Sequence, residues 1–539
     1  MDLRISYKKI VLIIILFSAA SAGGVTGLDG LKPSLSMNDR AGEKVLYWTR
    51  TYWPVYYQID VFSYPPEELW PEATAELVAR YTTIKNSWNI KQEFSTETYW
   101  RVSAMGLRQQ PLGGYSNWVR LNSAGMTEAS EYPTIKPACT SLYPASDPAT
   151  RYPLLTWTVI DGAVYYELEF LQKPPENPNS TEPSSYRLWA SREVYKNGFI
   201  ADLAWFDGTS VYWRVRALDY YGKPLGVFSD AQRMNVDTSV VRPLKPSLTS
   251  DFNDNGQPTL LYPVYAWIPI PGAVAYEVEL CSQPPENPYG TDPSRYRIWH
   301  KRGTGYDLYD DMPRNEPGTY YWRVRGLNDE GDPVGVYSDT GKFTVDLSRG
   351  SYAACFGDSI THGGGAMSYS PSDPEYNFET YLNFPVVNLG RSGDTTDTMV
   401  TRFIFDVLPF KPRYLLVSGG INSIRGGVTG QQVVLELMEI RSLCLENDIR
   451  PIFLTLPPVN PEAIQRAFGE STAPHWQEEL AVVNQFIRQQ EHYIDIEPFL
   501  SNQFGLLPER YAIDGLHPDI EGKKIMAQII NENWASVTR

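Results

Sequence analysis

The run Tyr212-Trp213-Arg214-Val215-Arg216 returns as Tyr321-Trp322-Arg323-Val324-Arg325, with a weaker copy at Tyr99-Trp100-Arg101-Val102. Other landmarks keep step. Pro174-Pro175-Glu176-Asn177-Pro178 returns as Pro284-Pro285-Glu286-Asn287-Pro288, after Pro65-Pro66-Glu67. Pro224 to Ser229 matches Pro333 to Ser338 and, more loosely, Pro111 to Ser116. A period of about 110 residues is the size of an independent domain and far exceeds a solenoid repeat. The repeats occupy residues 30–130, 131–240 and 241–347, which leaves 350–539 for a different fold.

Inside a repeat the pattern alternates: Tyr212, Arg214 and Arg216 share one face of a strand, Trp213 and Val215 the other. Period two with aromatic and β-branched residues predicts half-buried strands. Trp157, the turn at Gly162 and the run Ala163 to Leu168 predict a hairpin-like unit, repeated at Trp267 and Gly272 to Val278. Trp157, Trp213, Trp267 and Trp322 are expected to fill cores, and the Pro-Pro-Glu-Asn-Pro loops, with Tyr289, Tyr296 and Trp299 nearby, to be rigid and solvated or to bind a surface ligand. On these landmarks the units resemble fibronectin type III domains, which implies β-sandwiches acting as spacers or recognition modules.

After Asp346 short apolar runs alternate with helical spacing. Tyr352 to Phe356, Val386 to Leu389, Tyr414 to Val417, Pro451 to Leu456 and Tyr493 to Ile496 read as five buried strands. Val433, Val434, Leu437, Ile440 and Cys444 read as one helix, and Ile525, Met526, Ile529, Ile530 and Trp534 as a closing one. This predicts an α/β domain with a five-stranded parallel sheet covered on both faces, whose site lies at the carboxyl ends of its strands.

Four blocks follow those ends. Gly357-Asp358-Ser359 places a hydroxyl in a tight strand-to-helix turn. Gly390 to Thr395 offers the Gly393 N–H, and Gly419 to Ser423 the Asn422 amide, as donors toward negative charge. Near the end Asp514 and His517 share one loop, where a carboxylate can orient an imidazole. Each residue also suits a plain turn or cap, so the weight rests on the four together. The domain is similar to the SGNH, or GDSL, hydrolases on all four blocks in family order, except that Ser423 stands where the family often has aspartate. The resemblance implies a flavodoxin-like fold and a serine esterase. Ser359, His517 and Asp514 would be catalytic, with Ser359 N–H, Gly393 N–H and Asn422 as oxyanion hole and no cofactor. A histidine base predicts activity that rises through weakly acidic pH. His362 is expected to shape the mouth of the site, and Arg391 and Arg425 either meet an anionic group such as a uronate or are surface arginines.

With 42% hydrophobic and 20% charged residues the chain is that of folded protein, and its net charge of −16 argues against gripping nucleic acid or anionic lipid. Arg4, Lys8 and Lys9, the apolar Ile10 to Phe17 and Ala20-Ser21-Ala22 predict a signal peptide over residues 1–22. The apolar run falls short of the roughly 20 residues a span needs, so a secreted, periplasmic or cell-surface protein without an integral membrane segment is expected. Four cysteines, Cys139, Cys281, Cys355 and Cys444, are expected to be single packing residues, and no histidine has metal-ligand spacing. The expected substrate is an acylated small molecule or polysaccharide, acetyl esters of a carbohydrate first. The alternatives are a lysophospholipase, an aryl esterase or thioesterase, and a surface glycan-binding protein with an inactive hydrolase domain.

Overall fold

In the computed structural model the described residues are 135–160, 162–250, 259–365 and 369–539, with Ser116 and short stretches between residues 35 and 121 ahead of them. The expected signal peptide, Pro65 to Glu67 and most of Pro111 to Ser116 lie outside them. The chain divides into two compact units, residues 1–133 with 502–504, and residues 134–501 with 505–539.

In the first unit the strands Leu77–Thr83, Tyr56–Phe62, Thr98–Met105 and Val119–Leu121 form one antiparallel sheet, and Leu35–Arg40, Glu43–Trp48 and Ser87–Asn89 another. Leu46, Trp48, Ile59, Val61, Trp100 and Val102 meet in its core.

The second unit repeats that arrangement twice. Arg187–Val194, Tyr165–Leu171, Ser210–Leu218 and Gln232–Asn235 make one sheet, opposite the pair Leu154–Thr156 and Gly198–Ile200. In the next copy Arg297–Gly303, Ala275–Cys281 and Gly318–Leu327 stand opposite Ser247–Leu248, Val264–Ile268 and Asp307–Tyr309. Trp157, Trp213, Trp267 and Trp322 are all buried between the sheets.

Two expectations are corrected. The tryptophan strand and the strand after the glycine turn are not a hairpin, because they belong to opposite sheets. Trp157 packs edge-on against Tyr166 with ring centroids 5.4 Å apart, so the two segments face each other across the core instead of pairing side by side. The strands Ser210–Leu218 and Gly318–Leu327 are also not half-buried, since Arg214 and Arg323 are completely covered. Arg214 donates from Nε to Glu169 Oε1 at 2.6 Å and lies over the Phe228 ring. Asn177 of the Pro-Pro-Glu-Asn-Pro loop closes over it, accepting at its carbonyl and at Oδ1. Asn287 does the same for Arg323. These loops therefore seal buried ion pairs, whose partners satisfy charges that water no longer reaches.

Residues 350–539 form the expected parallel sheet, in the order Val387–Asn388, Ala353–Gly357, Tyr414–Ser418, Arg450–Leu454 and Tyr493–Ile494. The strands are buried throughout except at the outer Tyr493 and the edge of Arg450. Helices Thr396–Asp406, Gly430–Glu446, Trp476–Arg488 and Ile520–Thr538 supply the apolar residues that cover the sheet. A sixth strand comes from outside the domain: Thr259–Leu260, preceding the third repeat's tryptophan strand, pairs in parallel with Val387–Asn388. Two residues of extended chain carry no periodicity, which is why sequence alone does not reveal them.

The repeats of the second unit are thus welded to the α/β domain. Tyr166 and Tyr369 share a hydroxyl–hydroxyl bond of 2.6 Å, Lys196 Nζ donates to Asp373 at 2.7 Å, and Tyr262 OH donates to Asp406 at 2.8 Å. The four cysteines are free, three buried and Cys139 partly so. Among the described residues no helix is long and apolar enough to cross a membrane.

Candidate active site

The strand Ala353–Gly357 ends where its neighbour's Ser418 carbonyl crowds in, and a Cβ at Gly357 would lie 2.0 Å from that oxygen. Only glycine lets the backbone pass there. Asp358 then caps the short helix Ser359–His362, its carboxylate accepting from Ile360 N at 3.0 Å. Ser359 stands on the first turn of that helix, and its N–H makes no hydrogen bond among the described residues.

From the far end of the domain, the loop before helix Ile520–Thr538 brings up Asp514 and His517. Asp514 Oδ1 accepts from the N–H groups of Leu516 and His517, both at 2.8 Å. Its Oδ2 accepts from His517 Nδ1 at 2.8 Å, and His517 Nε2 stands 2.9 Å from Ser359 Oγ. With the carboxylate holding the Nδ1 proton, Nε2 is the acceptor for the serine hydroxyl. Burial works against a charge on Asp514, but His517 and the two N–H groups outweigh it and hold the carboxyl below its ordinary pKa.

Gly393 has φ +85° with open space around it, and its N–H makes no hydrogen bond among the described residues. The Asn422 amide donates one hydrogen to Asp394 O at 3.0 Å, which leaves its second available. Gly393 and Asn422 line a cavity of about 500 Å³ together with Ser359 and His517. Arg402 ties this rim together: its guanidinium donates to Gly357 O at 2.9 Å, to Leu389 O at 2.8 Å and to Asp406, and forms an ion pair with Asp394. Ser423 Oγ accepts from Thr396 N at 3.0 Å, so it anchors the helix behind Gly393.

The other expected residues sit differently. His362 is buried and outside the cavity lining: Nε2–H donates to Tyr262 O at 2.7 Å, which leaves Nδ1 to accept from Ser392 Oγ at 2.9 Å. Burial, with Arg402 and Lys523 nearby, lowers its pKa to about 4. It therefore braces the loop that carries Gly393 and does not shape the mouth. Arg391 leaves the cavity and stacks over Tyr262 at 5.3 Å. Arg425 does line it, but Arg425 is paired to Glu470 at 2.9 Å.

Three contributors carry no sequence signal. Phe468 packs edge-on against His517, with ring centroids 6.0 Å apart. Lys523 looks like one of two helix-surface lysines, yet it is fully buried and donates to Ile360 O at 2.7 Å, behind the turn that carries Ser359. Tyr309 reaches the cavity from the third repeat. Asp358 is also buried, and that burial pushes its pKa up to about 6. Among the described residues no cluster of side chains could hold a metal ion.

Residues 355–525 match the family of GDSL-like lipases and acylhydrolases. They are a GDSL-like acylhydrolase domain. The chain is accordingly a carboxylic ester hydrolase whose acylhydrolase domain follows a series of antiparallel β units. Similar solved structures include a GDSL-like lipase from Bacteroides thetaiotaomicron, at 19% identity over 34% of this chain and 88% of that one, TM-score 0.28. Others are a lipase/acylhydrolase from Enterococcus faecalis, at 21% over 34% and 96%, TM-score 0.28, and a variant of an acetyl-xylooligosaccharide esterase from Geobacillus, at 25% over 34% and 94%, TM-score 0.27. No curated protein matches the chain.

Proposed function

We propose that the acylhydrolase domain removes short acyl groups, acetyl above all, from a carbohydrate after export of the chain. Ser359 is the nucleophile, His517 the general base and Asp514 the group that orients it. The observation that carries this reading is the unbroken line from Asp514 Oδ2 through His517 to Ser359 Oγ, with contacts of 2.8 and 2.9 Å. As Ser359 attacks the ester carbonyl, His517 Nε2 takes its proton and then returns it to the departing alcohol; water, activated in the same way, releases the acid. The oxyanion meets Ser359 N–H, Gly393 N–H and the second hydrogen of Asn422 Nδ2, donors whose single removal costs roughly 3–4 kcal/mol in comparable sites.

The lining speaks for a short acyl group. Burying a long chain gains about 0.8 kcal/mol per methylene only against continuous apolar walls, whereas here the rings of Phe468, Tyr309 and Tyr369 and the side chain of Leu516 share the lining with glycine backbone, Ser392, Asn422, Ser471 and the Arg425–Glu470 pair. The sequence of residues 1–22 supports export. The test is hydrolysis of p-nitrophenyl acetate, octanoate and palmitate, alongside acetate release from acetylated xylo-oligosaccharides. Acetyl esters are expected to be cleaved fastest, with loss of all activity in Ser359→Ala. Faster turnover of palmitate would overturn the acyl assignment, and full activity in Ser359→Ala the site.

A further inference from the structure

The two described copies of the β unit in the second compact unit diverge at one informative place. In the first copy Leu154 pairs with Ile200; in the second the matching pair is Val264 and Tyr309. Ile200 is 5% exposed and joins the core of the following β unit, so this position lies at the junction with the next domain along the chain. Tyr309 occupies the corresponding junction with the acylhydrolase domain, yet it is 37% exposed and lines the same cavity as Ser359. A residue serving only to weld two domains would be buried and apolar there, as Ile200 is.

From these observations we infer that the third repeat is part of the substrate-binding site, and that Tyr309 is a specificity-determining residue that contacts a hydroxylated ring on the alcohol side of the ester. Its hydroxyl makes no hydrogen bond among the described residues, so that group is available to a substrate in the cavity. Although the residue as a whole is partly exposed, desolvation at its hydroxyl end, with the carboxylates of Asp307 and Asp373 nearby, pushes its pKa up, and the hydroxyl keeps its proton as a donor. Its flat face offers a surface for the C–H face of a sugar, an amphipathic contact suited to tyrosine.

The position is also held rigidly. The ring packs against His362 with centroids 5.8 Å apart, and Lys301 Nζ donates to the Tyr309 carbonyl at 3.0 Å. The next residue, Asp310, accepts from Tyr265 OH at 2.9 Å and from Arg314 at 2.8 and 2.9 Å. The segment cannot swing away from the cavity without breaking these bonds, of which Tyr265–Asp310 is buried, so the wall is preformed.

The inference rests on the ester hydrolase reading of the cavity and concerns its alcohol specificity. It is tested in the full chain with Tyr309→Phe and Tyr309→Ala, comparing kcat/KM on p-nitrophenyl acetate with kcat/KM on acetylated xylo-oligosaccharides; the acyl group is the same and only the alcohol differs. Tyr309→Phe is expected to lower the oligosaccharide-to-aryl ratio about fivefold, the size of one neutral hydrogen bond. Tyr309→Ala should lower it more than tenfold through KM, and p-nitrophenyl acetate turnover reports that each variant is folded. A ratio unchanged in both variants overturns the inference, as does a parent enzyme that cleaves the aryl ester but not the oligosaccharide. A parent inactive on both esters overturns the hydrolase reading itself, and this inference with it.

Discussion

Replacing Asp514 with asparagine isolates what the carboxylate does, because the surroundings leave the new amide one orientation. Oδ1 of Asp514 accepts two backbone N–H groups at 2.8 Å, and an amide nitrogen turned toward them would set donor against donor. The asparagine oxygen must therefore stay on Leu516 and His517, which points its NH2 group at His517 Nδ1. Nδ1 then becomes an acceptor, the ring proton moves to Nε2, and Nε2 faces Ser359 Oγ as a donor. The distances survive and the base is lost. An equivalent change in a triad protease lowers kcat about 10⁴-fold, which corresponds to about 5.4 kcal/mol of barrier. We expect a loss of that size in kcat for p-nitrophenyl acetate, with KM and the thermal midpoint close to those of the parent. An Asp514→Asn enzyme that keeps more than a tenth of the parent kcat would refute the tautomer argument.

Two further expectations concern stability. Asp358 has its pKa raised by burial to about 6 from 3.8, so its contribution is complete below about pH 4 and is lost as pH rises through 6. Asp358→Asn keeps the cap on Ile360 N without the charge, so it should stabilise the acylhydrolase domain by roughly 3 kcal/mol at pH 8 and by almost nothing at pH 4; thermal midpoints that rise equally at both pH values would contradict this. Arg323→Ala removes the fully buried partner of Glu279, leaves that carboxylate with Arg297, and should cost roughly 3 kcal/mol. Arg302→Ala, whose side chain is 58% exposed beside Glu277, should cost under about 1 kcal/mol; urea denaturation showing equal losses would dispose of the distinction.

Much of this architecture is written in the chain, and the exceptions share a cause. The five strands of the acylhydrolase domain are legible because each is a short apolar run bounded by turn residues, and the tryptophan cores because the landmarks recur. The repeat strands misled in a specific way: Arg214 and Arg323 alternate like solvent-facing residues, but the chain's own Pro-Pro-Glu-Asn-Pro loops and the Glu169 and Glu279 carboxylates bury them. The hairpin expected at Gly162 and Gly272 fails because alternation gives the faces of a strand and not its neighbours.

At the site, the first three blocks follow strand ends, the fourth lies on the loop before helix Ile520–Thr538, and His517 stands within hydrogen-bond distance of both Asp514 and Ser359. What spacing could not reveal are contacts made across domains. Tyr309 is one aromatic among many in the repeats, and nothing local marks it as facing the cavity. His362 stands next to the turn that carries Ser359, but the Tyr262 carbonyl, from a segment preceding the third repeat's first long strand, fixes its tautomer and turns it into a brace for Ser392.

The central claim is that the hydroxyl at position 359 is a nucleophile driven by its neighbouring imidazole. The most direct measurement is mass spectrometry of the full chain and its His517→Ala variant after exposure to a serine-directed fluorophosphonate. The account predicts a single adduct on the peptide containing Ser359 in the parent and little or none in the variant. An adduct on another residue, or labelling that proceeds equally well without His517, would contradict it.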